Sequence, residues 1–472
     1  MAIKKTKKVF RLLILFIVSF IASSFCYYFI NIYKINQSYY NMYNIKSDIG
    51  LRKFPYPYQA ALCIASDIDN TSSFEEFYKI QEFLNTKNMT EMGEGVGLEI
   101  GNSIFMYEPD WNKGLSYFSN KYDYKLIIRK FIKMGYIDCL HSFGDGYEDR
   151  EQAIIALKDL KNNNVHIRVW INHQTSKSNF GEWYVSNLGD KIKTKYYHAD
   201  LTIPYGIKYV WLGSSTYIIG QSTKITFNTI IRSCDSKYPI KSLYNIGKEI
   251  IKHLLSIFKL SKSKYQMHGS NELVRITTLS DGQKIYEFMR FDNYPNGIGY
   301  GATSKTMAYN LSDRVISQLK EVYGFAILYT HFGRNEGCTQ VICEETKKAL
   351  RSLEKEYRNG KVYVTTTSKL LNYYINHKYL NWTHRTINNE VIININSIDD
   401  PIFGSFVPNE VDLQGITFYI PTGKIAKIFI KKREISNILK NPKDENNRES
   451  VTIPLQFLEP LLEPPQISNY MK

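Results

Sequence analysis

The apolar residues of this chain fall into short continuous runs that alternate with stretches of helical periodicity. A short apolar run bounded by turn residues is typical of a strand buried on both faces, and apolar positions three and four residues apart indicate an amphipathic helix. On this basis we predict strands at 60–66, 96–100, 136–140, 166–171, 208–212, 325–330 and 361–366. The same pattern predicts helices at 73–86, 122–134, 149–163 and 339–357.

Strands that alternate with helices predict an α/β protein with a parallel sheet and helical crossovers. The number of repeats favours a (β/α) barrel, seven- or eight-stranded and distorted, over an open Rossmann sheet. No Gly-x-Gly-x-x-Gly motif follows the first strand, which leaves a dinucleotide site without support.

Two regions break this alternation. Residues 214–300 combine short β-like segments with a predicted helix at 244–258, and we interpret them as an insertion. From about residue 381 the pattern consists of strands and turns, which predicts a small C-terminal β domain. In these two regions strands are predicted at 217–219, 224–230, 273–278, 390–395, 415–420 and 427–431.

The N-terminal segment predicts a membrane anchor. Residues 12–30 contain no charged side chain and are long enough to cross a bilayer as a helix. Basic residues precede this run, which would place the N-terminus in the cytoplasm and the catalytic domain in the periplasm or outside the cell. A cleaved signal peptide is the alternative, and the aromatic residues that follow the small residues at 22–24 make it less favoured.

The chain is therefore predicted to have four parts. They are a cytoplasmic basic tip with the transmembrane anchor (1–34), a stem (35–58), a barrel that contains the insertion (59–380) and a β-rich accessory domain (381–472). This division changes the meaning of the formal net charge of +15, because residues 1–34 hold six basic residues and no acidic one. The remainder carries about +9, which is ordinary for a solvated protein of this size. We predict no nucleic-acid partner.

The six cysteines predict no disulfide framework in a chain of this length. Cys63 and Cys139 lie in apolar runs and are expected to be packing residues. Cys338 and Cys343 are close enough in sequence to pair, but a disulfide is the less favoured interpretation of these two residues.

Ionisable side chains recur where predicted strands end. They are Asp67 and Asp69 after the first strand, His141 and Asp145 after the third, His173 after the fourth, and His331 after the strand at 325–330. In a (β/α) barrel these ends converge on one face, where active sites lie. Taken singly, a strand-end aspartate is also explained as a helix cap, and a histidine as a structural residue. Their coincidence at four strand ends predicts a metal or acid/base site.

Several of these residues stand in motifs that resemble those of polysaccharide deacetylases, the NodB-type enzymes of carbohydrate esterase family four. The segment 61–69, Ala-Leu-Cys-Ile-Ala-Ser-Asp-Ile-Asp, is similar to the opening motif of that family. His-Ser at 141–142 resembles the start of its His-Ser/Thr-x-x-His metal motif, and Leu-Tyr-Thr-His at 328–331 resembles its late Leu-x-His motif. The resemblance covers residues 58–377 without the insertion.

The resemblance implies a role for each matching residue: catalytic base for Asp67, general acid for His331, and metal ligand for Asp69 and His141. Asp145 stands where the family has its second metal-binding histidine, and a carboxylate there would complete the ligand set of a divalent metal, zinc before others. His173 is an alternative third ligand or a substrate contact. Degeneration of the metal site is the other alternative.

Substrate-binding residues are predicted around this site. Arg168 lies in the region where the family has an arginine that positions the base, and Arg290 and Arg334 lie near predicted loops. Three tryptophans would offer rings for sugar stacking, although packing in the core explains them equally well: Trp170, Trp183 and Trp211.

The function implied by the resemblance is metal-dependent removal of N-acetyl groups from an extracytoplasmic polysaccharide by a membrane-anchored hydrolase. Two alternatives stay open. One is a glycoside hydrolase of a related barrel, which needs paired carboxylates, but Asp67 and Asp69 are too close along one strand to favour it. The other is a non-catalytic glycan-binding or assembly protein.

Overall fold

The computed structural model describes residues 30, 33–34, 36–37, 48–107, 114–118, 124–146, 148–174, 176–258, 265–297, 299–300, 302–334 and 336–463. The strands are β1 Gly50–Leu51, β2 Ala60–Asp67, β3 Met89–Thr90, β4 Gly93–Glu94, β5 Gly101–Tyr107, β6 Ser116–Phe118, β7 Ile137–His141, β8 Val169–Ile171, β9 Tyr209–Trp211, β10 Ser215–Thr216, β11 Val274–Thr278, β12 Lys284–Phe288, β13 Arg290–Phe291, β14 Phe325–Thr330, β15 Val362–Thr365, β16 Leu380–Ile387, β17 Glu390–Asp400, β18 Gly404–Phe406, β19 Thr417–Ile420, β20 Ile425–Ile430, β21 Arg433–Glu434, β22 Leu439–Asn441 and β23 Glu449–Thr452. The helices are α1 Phe74–Asn85, α2 Lys125–Lys133, α3 Arg150–Asn162, α4 Ala199–Tyr205, α5 Phe227–Arg232, α6 Pro239–Ile257, α7 Met307–Asn310, α8 Asp313–Glu321, α9 Glu344–Arg358 and α10 Thr367–Lys378, with one 3₁₀ helix at Gln266–Gly269.

The main sheet is an open, curled half-barrel. Its strands run in the order β11-β12-β9-β8-β7-β5-β2-β14, with β15 paired to β2 and β6 paired to β5. Every pair is parallel except the β11–β12 hairpin. The predicted (β/α) barrel of seven or eight strands is therefore wrong, since no closed barrel with alternating helices is formed.

The insertion explains why the sheet stays open. Strand β12 of its hairpin pairs with β9. The other strand of the hairpin, the antiparallel β11, is left at the edge where a barrel would continue. The opposite edge is β14, and within the described residues no hydrogen-bonded pairing joins β11 to β14. An antiparallel hairpin ends the series of parallel strands that a (β/α) barrel requires.

Most strands and helices predicted for the barrel region are confirmed with ends shifted by a few residues. The strand predicted at 96–100 is wrong, because the chain there is irregular and β5 begins at Gly101. The strand predicted at 224–230 is also wrong. That segment is rich in β-branched residues, but Thr226 and Thr229 form a reciprocal capping box that begins α5.

The two faces of the main sheet pack against different helices. On β2, Leu62 and Ile64 share a hydrophobic cluster with α1, α8 and α9, whereas Ala61 and Cys63 share a cluster with α10. Alternate residues of a strand point to opposite faces, so Asp67 has the parity of the face that packs against α10. That face is termed the inner face below.

The C-terminal residues form two further sheets. One contains β16, β17, β18, β20 and β21, and the other contains β1, β19, β22 and β23. Both contribute to one hydrophobic cluster that includes Val391, Ile393 and Phe418. Because β1 pairs with β19, residues predicted as stem are held against this C-terminal region.

The described part of the chain contradicts the predicted membrane anchor. Among the residues that the structure describes, no helix is both long and apolar enough to cross a bilayer. The run at 12–30, on which that prediction rests, lies outside the described residues except for Ile30. The predictions of a transmembrane helix, a signal-anchor and a single-pass localisation conflict with this finding.

Cys338 and Cys343 form a disulfide, with their Cα atoms 5.4 Å apart. This corrects the less favoured status that the sequence analysis gave to the pair. The bond closes the loop between β14 and α9, which directly follows His331. Cys63 and Cys139 are buried free cysteines, as expected.

Gly324 should be intolerant of a side chain. A Cβ atom at this position would lie 2.6 Å from the Cα atom of Gly220, where the insertion crosses the start of β14. We expect Gly324→Ala to lower the free energy of unfolding by about 1–3 kcal/mol, measured by denaturant titration. Gly247→Ala is the matched control, because its Cβ would meet nothing within 4 Å. An equal loss of stability in both variants would contradict this packing.

Candidate functional site

The first strand of the inner face ends in two buried carboxylates. Asp67 is the last residue of β2 and is 2% exposed, and Asp69 is 4% exposed. The hydroxyl of Ser103, on the neighbouring strand β5, donates a 2.5 Å hydrogen bond to Oδ1 of Asp67. Two carboxylates removed from water in this way need compensating partners nearby.

Three histidines supply such partners. Nε2 of His141 lies 3.9 Å from Oδ2 of Asp67, and Nε2 of His173 lies 3.7 Å from Oδ2 of Asp69. Nε2 of His331 lies 3.5 Å from Oδ1 of Asp69 and 3.9 Å from Oδ2 of Asp67. The structure thus brings together five of the residues singled out at the strand ends.

The three imidazoles have fixed orientations. The ring of Phe105 stacks on His141 with centroids 4.7 Å apart and meets His173 edge-on at 5.0 Å. Nδ1 of His331 lies 2.9 Å from the carbonyl oxygen of Ala302. A carbonyl oxygen only accepts, so Nδ1 carries the proton of a neutral His331 and Nε2 faces the carboxylates with its lone pair.

Asp145 lies behind His173. Its Oδ1 is 2.9 Å from Nδ1 of His173, while Nε2 of the same ring faces Asp69. The carboxylate predicted as a third metal ligand therefore contacts the far side of an imidazole. A carboxylate in this position orients a histidine and raises its basicity.

Arg290 is a cation buried inside the site. Its side chain is 1% exposed, and its guanidinium lies 3.8 Å from Oδ1 of Asp67. The rings of Trp211 and Tyr329 flank that guanidinium, with centroids 4.2 Å and 4.4 Å from Cζ. The position expected for Arg168, beside Asp67, is thus taken by an arginine of the insertion, whereas Arg168 is exposed and precedes β8.

The pKa values of the two carboxylates are shifted in opposite directions. Burial alone would raise the pKa of Asp67, but two cations outweigh it: the His141 imidazole, which is charged only in acid, and the Arg290 guanidinium, which is charged throughout. With His331 adding to the effect, they lower the pKa of Asp67 to about 2. Burial raises the pKa of Asp69 above its usual value, and the charge of Asp67 adds to this. Of the two carboxylates, Asp67 is therefore the one that ionises more readily.

The pKa values of two of the histidines, His141 and His173, are also shifted in opposite directions. Burial holds the pKa of His141 well below its usual value, so this imidazole is neutral near pH 7. Burial would likewise lower the pKa of His173, but the contact with Asp145, helped by the charge of Asp69, raises it. A neutral imidazole is the form that binds a metal.

Other predicted site residues lie apart from this cluster. Trp170 is fully buried in the core among Phe143, Phe180 and His198. Its parity is that of the face opposite the inner face. Arg334 is exposed beside His331 and pairs with Glu336 at 3.5 Å.

Sequence reasoning missed three residues that shape the site: Ser103, Phe105 and Tyr329. The first two were missed because β5 was predicted several residues too early, at 96–100. Had β5 been placed correctly, Ser103 and Phe105 would share one face by alternation. Tyr329 was inside a predicted strand, two residues before His331, and the same alternation assigns both to the inner face.

The donor set of this site suits a divalent cation, although its side chains pair with one another. Among the described residues, no group of three or more His, Cys, Asp or Glu side chains is arranged to hold a metal ion. Two observations still match zinc: the set of two imidazoles and a carboxylate in His141, His173 and Asp69, and the buried Nδ1 of His141, which has no hydrogen-bond partner in the described part of the chain.

Comparison of the chain with protein-family models, with curated proteins and with solved structures gives no match. The likeness to polysaccharide deacetylases therefore rests on the short motifs alone. What the site can do has to be argued from its own geometry.

Asp145 and His173 should differ in their effect on zinc affinity. If Asp145 orients His173, Asp145→Asn should weaken zinc binding about 10- to 100-fold, and His173→Ala should weaken it more, since it removes a donor. Titration calorimetry of the full chain measures both, and Asp149→Asn, at the N-terminus of α3, is the matched control. A larger loss for Asp145→Asn than for His173→Ala would make Asp145 the ligand instead.

Arg290 should set the ionisation of Asp67. Without the guanidinium the charged carboxylate loses its buried cation, so Arg290→Gln should raise the pKa of Asp67 by about one to three pH units. Aspartate-selective ¹³C NMR, with Asp67 assigned through the Asp67→Asn spectrum, measures this directly. Arg334→Gln, at an exposed arginine outside the cluster, should leave the titration unchanged. An unchanged titration in Arg290→Gln would remove Arg290 from this role.

Proposed function

We propose that this protein is a metal-dependent hydrolase that removes N-acetyl groups from a polysaccharide. The observation that supports this most is the placing of Asp67 and His331. The Oδ2 atom of one lies 3.9 Å from the Nε2 atom of the other, with Asp69, His141 and His173 packed around them. An ionised carboxylate beside an imidazole, next to a set of potential metal donors, is the equipment of a hydrolytic acid/base pair.

Asp67 is the proposed general base. A carboxylate whose pKa is about 2 is ionised throughout the neutral range, so its oxygens are available to accept a proton. So low a pKa makes it a weak base, and the proton it accepts would come from water whose own pKa is lowered by a metal. Ser103 and Arg290 both approach Oδ1 of Asp67. They leave Oδ2, the oxygen that faces His141 and His331, to receive the proton.

His331 is the proposed general acid. Its Nδ1–H is held by the carbonyl oxygen of Ala302, so the ring presents Nε2 to Asp67 and Asp69. When Nε2 is protonated, the cation is balanced by Asp67 and Asp69 on either side. Transfer of that proton to the departing sugar amine would let it leave as a neutral group.

Asp69, His141 and His173 are the residues that would hold the metal, with Asp145 orienting His173. A divalent ion bound there would polarise the acetamide carbonyl and lower the pKa of water. The side chains themselves exclude bulk water, because all three are less than 9% exposed.

Aromatic and polar residues beside the site fit a carbohydrate. A cavity of about 240 Å³ is lined by residues that include Trp183, Tyr265, Tyr300 and Asn245. Ser215 also lines it and pairs across the strands with Arg290, so the cavity adjoins the wall of the site. Aromatic rings at a cavity wall with nearby amide and hydroxyl groups are suited to sugar rings.

A glycan-binding protein without turnover is the second candidate. It is favoured by the fact that, in the described part of the chain, no three donors converge as a ready metal site. Such a protein would bind polysaccharide through the cavity beside the site and release no acetate.

Asp67→Asn should abolish most of the activity while leaving zinc binding in place. Loss of a general base costs about 10²- to 10⁴-fold in rate, measured as acetate released from N-acetylated polysaccharides by the zinc-loaded chain. Asp399→Asn, an exposed aspartate on β17, is the control and should behave as wild type.

Three results separate the candidates. Undiminished acetate release by Asp67→Asn would contradict the base assignment. Polymer binding without acetate release from wild type would favour the glycan-binding candidate. Cleavage of glycosidic bonds that survives a chelator would indicate a two-carboxylate glycosidase.

A further inference from the structure

Helix α6, in the insertion, buries its polar face and exposes its apolar face. Its buried side chains include four polar ones, Ser242, Asn245, Glu249 and His253. They recur at helical spacing, so they form one face. Surface helices of globular proteins bury their apolar face instead.

The buried polar face of α6 is tied to the insertion by hydrogen bonds. Glu249 accepts from the hydroxyl of Thr216 at 3.0 Å and lies 3.2 Å from Nδ1 of His268. Asn245 donates to the carbonyl oxygen of Pro295 at 3.1 Å. The orientation of the helix is therefore fixed by specific contacts, and its apolar side chains are held outward.

The apolar face of α6, defined by Ile240, Leu243, Tyr244 and Ile251, is exposed. The four side chains are 82%, 66%, 65% and 57% exposed in that order. Positions 240, 243, 244 and 251 lie on one side of a helix. A contiguous apolar surface of this kind marks an interaction site.

The charges along this face indicate what the partner is. Lys241, Lys248 and Lys252 lie along one border of it, at intervals of seven and four residues. The helix has a single acidic residue, Glu249, which is buried and pairs with Lys252. Basic residues border the apolar face and no exposed acidic residue of α6 balances them, so its complement is an apolar surface that carries negative charge.

We propose that α6 is an interfacial helix that lies in the headgroup region of an anionic lipid bilayer. Helices that bind there have an apolar face with bulky residues, a lysine-rich border and a polar face turned away from the lipid. Anionic headgroups would attract Lys241 and Lys248. A second copy of the chain fits less well, because its own α6 offers lysines but no carboxylate to pair with them.

Docking in this way would also place the cavity beside the bilayer. Lys248 and Lys252 line that cavity together with Trp183 and Tyr300. The proposal does not depend on the hydrolase function, since it rests on exposure and charge at α6 alone.

Tryptophan quenching tests the proposal on the full chain. The Tyr244→Trp variant is mixed with vesicles of equal parts phosphatidylglycerol and phosphatidylcholine, the latter brominated in its acyl chains. We expect its additional fluorescence, relative to wild type, to be quenched. Ile155→Trp is the matched control: it puts a tryptophan at an exposed apolar position of α3, and its additional fluorescence should not be quenched.

The attraction between the lysines and the anionic headgroups is tested separately. In the Tyr244→Trp background, Lys241→Gln and Lys248→Gln should each weaken partitioning to these vesicles about fivefold, as expected for the loss of one lysine near an anionic surface. Replacing phosphatidylglycerol with phosphatidylcholine removes the attraction of both lysines and should weaken the starting variant by about 25-fold. Equal binding to both lipid mixtures would overturn the anionic specificity.

Two other results would overturn the proposal as a whole. If Tyr244→Trp is quenched no more than Ile155→Trp and the chain is a dimer that Leu243→Ser dissociates, the face is a contact between copies. If it is not quenched and the chain is monomeric, another segment of the same chain covers the face. Folding of every variant is checked by circular dichroism, so that a misfolded variant is not scored.

Discussion

The end of β2 is the constraint on which the rest of the structure depends. Eight buried residues carry the chain to Asp67, and Asp69 follows two positions later, so two carboxylates emerge where water does not solvate them. Three imidazoles and a guanidinium lie within 3.9 Å of these carboxylates. They come from four different parts of the chain. The site consequently forms only when these separate segments are brought together by the main sheet, and no single strand or helix contains it.

The open sheet and the composition of the site have a common cause in the insertion. Its hairpin occupies the edge at which a barrel would continue, and the strand that follows, β13, supplies Arg290. The chain then passes Ala302, whose carbonyl oxygen holds His331. The insertion therefore keeps the sheet open and provides the cation beside Asp67, and the acceptor that orients the proposed acid follows directly after it.

The ionisable residues at the strand ends could be predicted from the sequence, because an apolar run followed by Asp-x-Asp or His indicates the carboxyl end of a strand in a parallel sheet. The positions of Asp67, Asp69, His141, His173 and His331 followed from that alone. Closure of the sheet could not be read, since it depends on how an insertion pairs with a distant strand. Two further contacts also depend on packing between distant parts of the chain. They are the contact of Asp145 with Nδ1 of His173 and the placement of Arg290, in preference to Arg168, beside Asp67. Trp170 is a different case: alternation along β8 places it on the face opposite the inner face, a position that strand parity alone predicts.

Zinc K-edge X-ray absorption of the zinc-loaded chain identifies the donor atoms around the bound ion. We expect nitrogen and oxygen donors that include two imidazoles, with one imidazole lost in His173→Ala and both kept in Asp145→Asn. A shell without imidazole, or one that His173→Ala leaves unchanged, would contradict the assignment of this cluster as the metal-binding centre.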